Sequence, residues 1–181
     1  MSAYTSRTDR PNDIRLITQG EFEVSNEPDV VISTLLGSCV SCCLWDDEAG
    51  VGGMNHLLLA GERVGSLSGY DVAGVAEMEC LINGIIKLGG NRTNLKAKVF
   101  GGANMLGMPT KIGEANATFA FDFLKQENID CVNSSVGGSL ARSLRFWPTS
   151  GRANLRFATD APLEQETPSE VLKSGNELEL F

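Results

Sequence analysis

The sequence predicts an α+β domain: layered, mixed β-sheets packed with two main helices. Short apolar runs rich in β-branched residues, broken by glycines and polar turns, dominate the middle of the chain. Only two segments carry a helical period, one opening at Asp71 and one near Gly113. Two helices among many strands favour stacked layers over a doubly wound βαβ sheet. The 181 residues are enough for one such domain with a substantial core.

Residues 1–13 are polar and aperiodic, which predicts a mobile arm ahead of a domain spanning 14–160. The stretch "IRLITQGEFEV" suits one or two opening strands. "DVVISTLLGSCVSCCLWDD" is a longer apolar run, interrupted at Gly37, and "VGGMNHLLLA" is a second run entered through Gly52 and Gly53. The polar "DDEAG" between them predicts a hairpin. From Asp71, a candidate N-cap, Val72, Val75, Met78, Ile82, Ile85 and Ile86 fall near one helical face, and Gly89-Gly90 ends the helix. "KAKVFGGA" reads as a strand running into a glycine turn. "GEANATFAFDFLKQENI" is the second amphipathic helix, with Ala117, Phe121 and Leu124 on its apolar stripe. "DCVNSSVGGS", "RSLRFWPTSG" and "RANLRFATD" read as closing strands and turns. Residues 161–181 form an acidic tail, in which five glutamates face one lysine.

Composition removes several classes of function. Fifteen basic and twenty-three acidic residues leave a net charge of −8, which disfavours binding to a phosphate backbone, so no nucleic-acid partner is expected. No apolar run approaches the roughly 20 residues that span a bilayer, so membrane insertion is not expected. The N-terminal residues lack the apolar core of a secretory signal, which points to the cytoplasm and to free thiols for the five cysteines.

Three of those cysteines, Cys39, Cys42 and Cys43, crowd into "CVSCC", and the chain has a single histidine, His56, seventeen residues after Cys39. Core packing accounts for most buried cysteines. A redox pair from Cys39-x-x-Cys42 fails, because strand alternation sends the two sulfurs to opposite faces and no turn residue lies between them. One histidine and isolated Cys80 and Cys131 cannot supply the four close ligands of structural zinc, so no metal is expected. A nucleophile remains open. Cys39 follows Gly37-Ser38 where a turn meets a strand, so that backbone N–H groups of Gly37, Ser38 and Cys39 are available to an oxyanion. The predicted hairpin would bring His56 towards Cys39. The glycine pairs at 52–53, 101–102 and 137–138 match no phosphate-binding pattern and read as tight turns or close backbone approaches.

The pair "LLGSCVSCCLWD" and "GGMNHLLL" resembles the signature of the CheD family of chemoreceptor glutamine deamidases. "KVFGGANM", "IGEANATFAFDFLKQENI" and "SSVGGSLARSLRFWPTSGR" follow in family order, and the resemblance covers about residues 17–158. It implies a layered fold similar to the deamidase domain of the cytotoxic necrotizing factor toxins. The implied activity converts receptor glutamines to glutamates, with methyl-accepting chemotaxis receptors as protein substrates and no cofactor. Cys39 takes the place of the family nucleophile and His56 that of its base. The family's orienting threonine stands six residues before the cysteine, where this chain has Ser33; Thr34, next to it, is the alternative. The resemblance also implies a possible second partner, a CheC-type phosphatase of the response regulator CheY. A regulatory binding module for that phosphatase is the competing reading, and transfer of the acyl group to an amine instead of water is a third.

Overall fold

The computed structural model describes residues 13–59, 72–105 and 111–158. The predicted arm and acidic tail therefore lie almost wholly outside the described residues, as does Asp71; Asp13, expected in the arm, opens the first strand. Nine strands and two helices follow in the order β1 (Asp13–Leu16), β2 (Phe22–Ser25), β3 (Val30–Leu36), β4 (Val40–Asp46), β5 (Val51–Asn55), α1 (Val72–Lys87), β6 (Lys96–Gly101), α2 (Ile112–Gln126), β7 (Asp130–Val136), β8 (Arg142–Trp147) and β9 (Arg152–Phe157). The long run interrupted at Gly37 is thus two strands. Strand β3 belongs to a four-stranded sheet ordered β1-β3-β8-β9, and β4 to a five-stranded sheet ordered β2-β5-β4-β6-β7. Residues 37–39 are the crossing between the sheets.

Both sheets are mixed. Strands β1 and β3 run parallel, as do β6 and β7, which α2 joins in a single crossover; the other pairings are antiparallel. The expected hairpin is β4–β5, with Cys43 opposite Met54 and Asp46 opposite Val51. Gly50, at φ +63, supplies the left-handed residue of its turn.

Alternation along β4 sorts its side chains between two cores. Cys43 and Trp45 join Ile32, Leu36, Met54, Phe100, Leu144 and Phe146 in the space between the sheets. Val40, Cys42 and Leu44 face the helices, packing with Met78, Leu81, Ile82 and Ile85 of α1 and with Ala120, Phe123 and Leu124 of α2. The layers are therefore sheet, sheet, helices. The α1 stripe is turned from the expected one: Gly74 and Leu81 are buried, whereas Val72 is 75% exposed and Ile86 lies at the surface. Gly74 causes this. A Cβ there would meet Leu59 Cδ2 at 2.7 Å and Phe119 Cζ at 2.8 Å, so the bare backbone packs against them and Val72 is carried outward. On α2, Ala117 and Leu124 are buried as expected, and Phe121 packs at the margin of the core. Among the described residues no helix is long and apolar enough to cross a membrane.

Candidate active site

Cys39 stands at the end of the crossing and His56 immediately after β5. Val40 and Leu57 exchange both backbone hydrogen bonds, at 2.9 and 2.8 Å, and extend the β4–β5 ladder by one bridge. In that register Ser41 faces His56, so Cys39 is the diagonal neighbour of His56 across the ladder. The alternation that puts Cys43 and Met54 between the sheets puts Cys39 and His56 on that same face. Cys42 points the other way and Cys43 lies deeper.

The imidazole is oriented from the opposite sheet. Thr34 Oγ1 lies 2.8 Å from His56 Nδ1 and donates to the carbonyl of Ile17 at 2.8 Å. A hydroxyl has one proton, and a carbonyl can only accept. Thr34 therefore accepts from Nδ1–H, and Nε2 is left as the nitrogen with a free lone pair. The assignment of the hydroxyl to Ser33 is corrected here. Ile32 and Leu36 of β3 face the inter-sheet core, so Thr34 shares their face, whereas Ser33 points outward and donates to Leu144 O at 3.2 Å. That alternation was visible in "VISTLL" and was the signal that separates the two.

Burial sets the protonation of the pair. It pushes the half-buried Cys39 thiol up from its ordinary value, against the opposing influence of its own backbone N–H. It pushes His56, 7% exposed, down from its ordinary value, and the nearby Glu21 carboxylate only partly offsets this. The resting pair is thus a thiol and a neutral imidazole, not an ion pair. The other two cysteines of the cluster are inert by the same cause: burial lifts Cys42 to about 12 and Cys43 well above its ordinary value.

The crossing itself is tightly held. The carbonyl of Gly37 accepts from Ala103 N–H at 2.9 Å, that of Ser38 from Asn116 Nδ2 at 2.8 Å, and that of Cys39 from Gly102 N–H at 2.8 Å. Gly101 sits at φ +110 directly against the Cys39 carbonyl, where no Cβ fits. The 101–102 pair is thus a close backbone approach, as its sequence suggested, and it braces the turn that carries Cys39. Asn116, on α2 and 1% exposed, gave no separate signal in the sequence.

A thiol set diagonally across a ladder from an imidazole whose other nitrogen is held by a hydroxyl can supply the nucleophile and base of acyl-transfer chemistry. A model of the family described as CheD chemotactic sensory transduction matches residues 73–157, a stretch that begins after both Cys39 and His56. Relatives extend the match. A protein of Rhizobium johnstonii named "Probable chemoreceptor glutamine deamidase CheD" is 50% identical over 151 residues, covering 82% of each chain. Proteins of the same name from Rhizobium meliloti and Agrobacterium fabrum are each 52% identical, over 76% and 86% of both chains respectively. The chain belongs to the CheD family.

Proposed function

We propose that this protein deamidates glutamine side chains of chemoreceptors in the cytoplasm, releasing ammonia and leaving glutamate. Cys39 is the nucleophile, His56 the base and Thr34 the group that orients it. The observation that carries the reading is the bond from His56 Nδ1 to Thr34, which leaves Nε2 free on the face that bears Cys39. The names of the relatives supply the substrate class.

Because the resting thiol is protonated, His56 accepts its proton as sulfur adds to the side-chain carbonyl carbon. The carbonyl electron pair moves onto oxygen, giving an anion for which the backbone N–H groups of the Gly37–Cys39 turn are the donors. Imidazolium returns the proton to the amide nitrogen, the C–N bond breaks, and ammonia leaves. Water then attacks the thioester with His56 again as base, giving glutamate and the free thiol. The net change consumes one water and releases one ammonia.

The test is mass spectrometry of a receptor cytoplasmic fragment after incubation with the protein. Each reacted glutamine is expected to gain the mass difference between an amide and an acid, and Cys39→Ala is expected to abolish the change. Conversion that survives Cys39→Ala overturns the mechanism. A wild type that converts nothing but binds a CheC-type phosphatase favours the regulatory module instead.

A further inference from the structure

We propose that Asn116 is a positioning residue of the oxyanion site, acting through the Ser38–Cys39 peptide. The inference rests on the acyl-transfer reading of Cys39, and it adds a residue to the three assigned there.

Asn116 makes two bonds in opposite directions. Leu59 N–H donates to its Oδ1 at 3.0 Å, which fixes the amide so that Nδ2 faces Ser38 and donates to that carbonyl at 2.8 Å. One buried side chain on α2 therefore ties the turn carrying Cys39 to the strand extension that follows His56. The Ser38 carbonyl and the Cys39 N–H belong to one planar trans unit, in which C=O and N–H point opposite ways. Holding the carbonyl towards α2 aims the Cys39 N–H away from α2. Ala103 N–H does the same to the preceding unit through the Gly37 carbonyl at 2.9 Å, which aims the Ser38 N–H. Neither N–H donates to a main-chain acceptor among the described residues. Two adjacent donors are thus preset by bonds made on the far side of their own peptides. One of those two bonds comes from a side chain and can be removed by substitution.

Glycines let α2 come close enough for this. Gly113, in its first turn, packs on the backbone of Gly102, where a Cβ would meet the carbonyl oxygen. Asn116 follows one turn later and so reaches the crossing with a short side chain.

Two reagents separate donor positioning from mere support of the thiol, and neither involves a receptor. Acetylation of Cys39 by p-nitrophenyl acetate passes through a tetrahedral oxyanion: sulfur bonds to the acetyl carbon, the thiol proton goes to His56, and p-nitrophenolate leaves. Alkylation by iodoacetamide displaces iodide at a saturated carbon and forms no oxyanion. Both rates are read at Cys39 by site-resolved mass spectrometry in wild type, Asn116→Asp and Asn116→Ser. Asp keeps the acceptor for Leu59 N–H but sets a carboxylate against the Ser38 carbonyl; Ser removes the reach to both. Fully buried Cys42 serves as the folding control, because only unfolded molecules label there. Acetylation is expected to fall about tenfold or more, with alkylation within about threefold of wild type. Equal changes in both rates, or no change in acetylation, overturn the proposal. A wild type without ammonia release from receptors would instead count against the proposed function, and the ratio of the two rates would still decide the role of Asn116.

Discussion

The Thr34 hydroxyl has one proton, which it donates in a hydrogen bond to the Ile17 carbonyl; what remains for His56 is a lone pair. Thr34→Val keeps the shape and removes that acceptor. Deamidation is expected to fall about 10- to 100-fold, since the base loses its fixed tautomer and direction. Ser33→Ala, on the outward face of the same strand, is expected to leave the rate within about twofold; steady-state kinetics of the two variants side by side check both. The pair also sets a pH profile. Because burial lowers the pKa of His56, the imidazole remains a competent base below the ordinary value of about 6.5. The kcat/KM curve is therefore expected to rise with a midpoint under 6.5 and stay level through neutrality, and a midpoint above 7 would contradict the buried neutral imidazole. Stability has the same sign. Below about pH 6.5 the unfolded chain binds a proton at His56 that the folded chain refuses, so stability falls as the pH drops from 6.5 towards the folded value, and then levels off. At this scale the sequence offered Cys39 and His56 by their spacing, the histidine being the chain's only one, and the family resemblance assigned them the roles of nucleophile and base. Distance in sequence from Cys39 favours Ser33 over Thr34 as the hydroxyl, whereas the facing shared with Ile32 and Leu36 favours Thr34. Protonation was not legible, since it depends on burial by residues distant in sequence.

Among the elements, the end of β6 and the residue after it hold the Cys39 carbonyl, through Gly101 and Gly102. Gly101 holds φ +110 against the Cys39 carbonyl, so Gly101→Ala meets both a left-handed backbone and a collision with main chain that cannot rotate away. The variant is expected to lose most activity and about 1–3 kcal/mol of stability, by denaturant titration, even though its own side chain would touch no substrate. Strands β4 and β5 were legible because two apolar runs flank the polar "DDEAG" turn. The separation of β3 from β4 into different sheets was not, since a glycine-interrupted run looks the same whether the chain bends within a sheet or leaves it. The facing of α1 was misread for a related reason. A hydrophobic stripe places Val72 and Ile86 near the core, but Gly74 lets the helix settle on the side where the neighbours come closest, and periodicity does not register a residue without a side chain. The clamp through Asn116 stayed hidden because its two partners lie 78 and 57 residues away.

For the whole molecule, layering follows from β4, which sits near the middle of its sheet and offers apolar side chains to both sides. Phe146 is fully buried between the sheets and stacks at a tilt on Trp45, with ring centroids 6.3 Å apart. Phe146→Ala is expected to cost about 3–5 kcal/mol. It is also expected to lower deamidation at temperatures where calorimetry still finds the protein folded; activity that tracks the folded fraction alone would count against this. The reason lies in where the parts are mounted. The hydroxyl of Thr34 belongs to one sheet, the imidazole of His56 to the other, and the thiol to the link between them. The two sheets behave like the paired scales of a vernier, on which a slide too small to disturb either scale still spoils their coincidence. Any ligand, partner or substitution that shifts one sheet against the other by a fraction of an ångström is therefore expected to change the reaction rate without touching the three groups proposed to perform it.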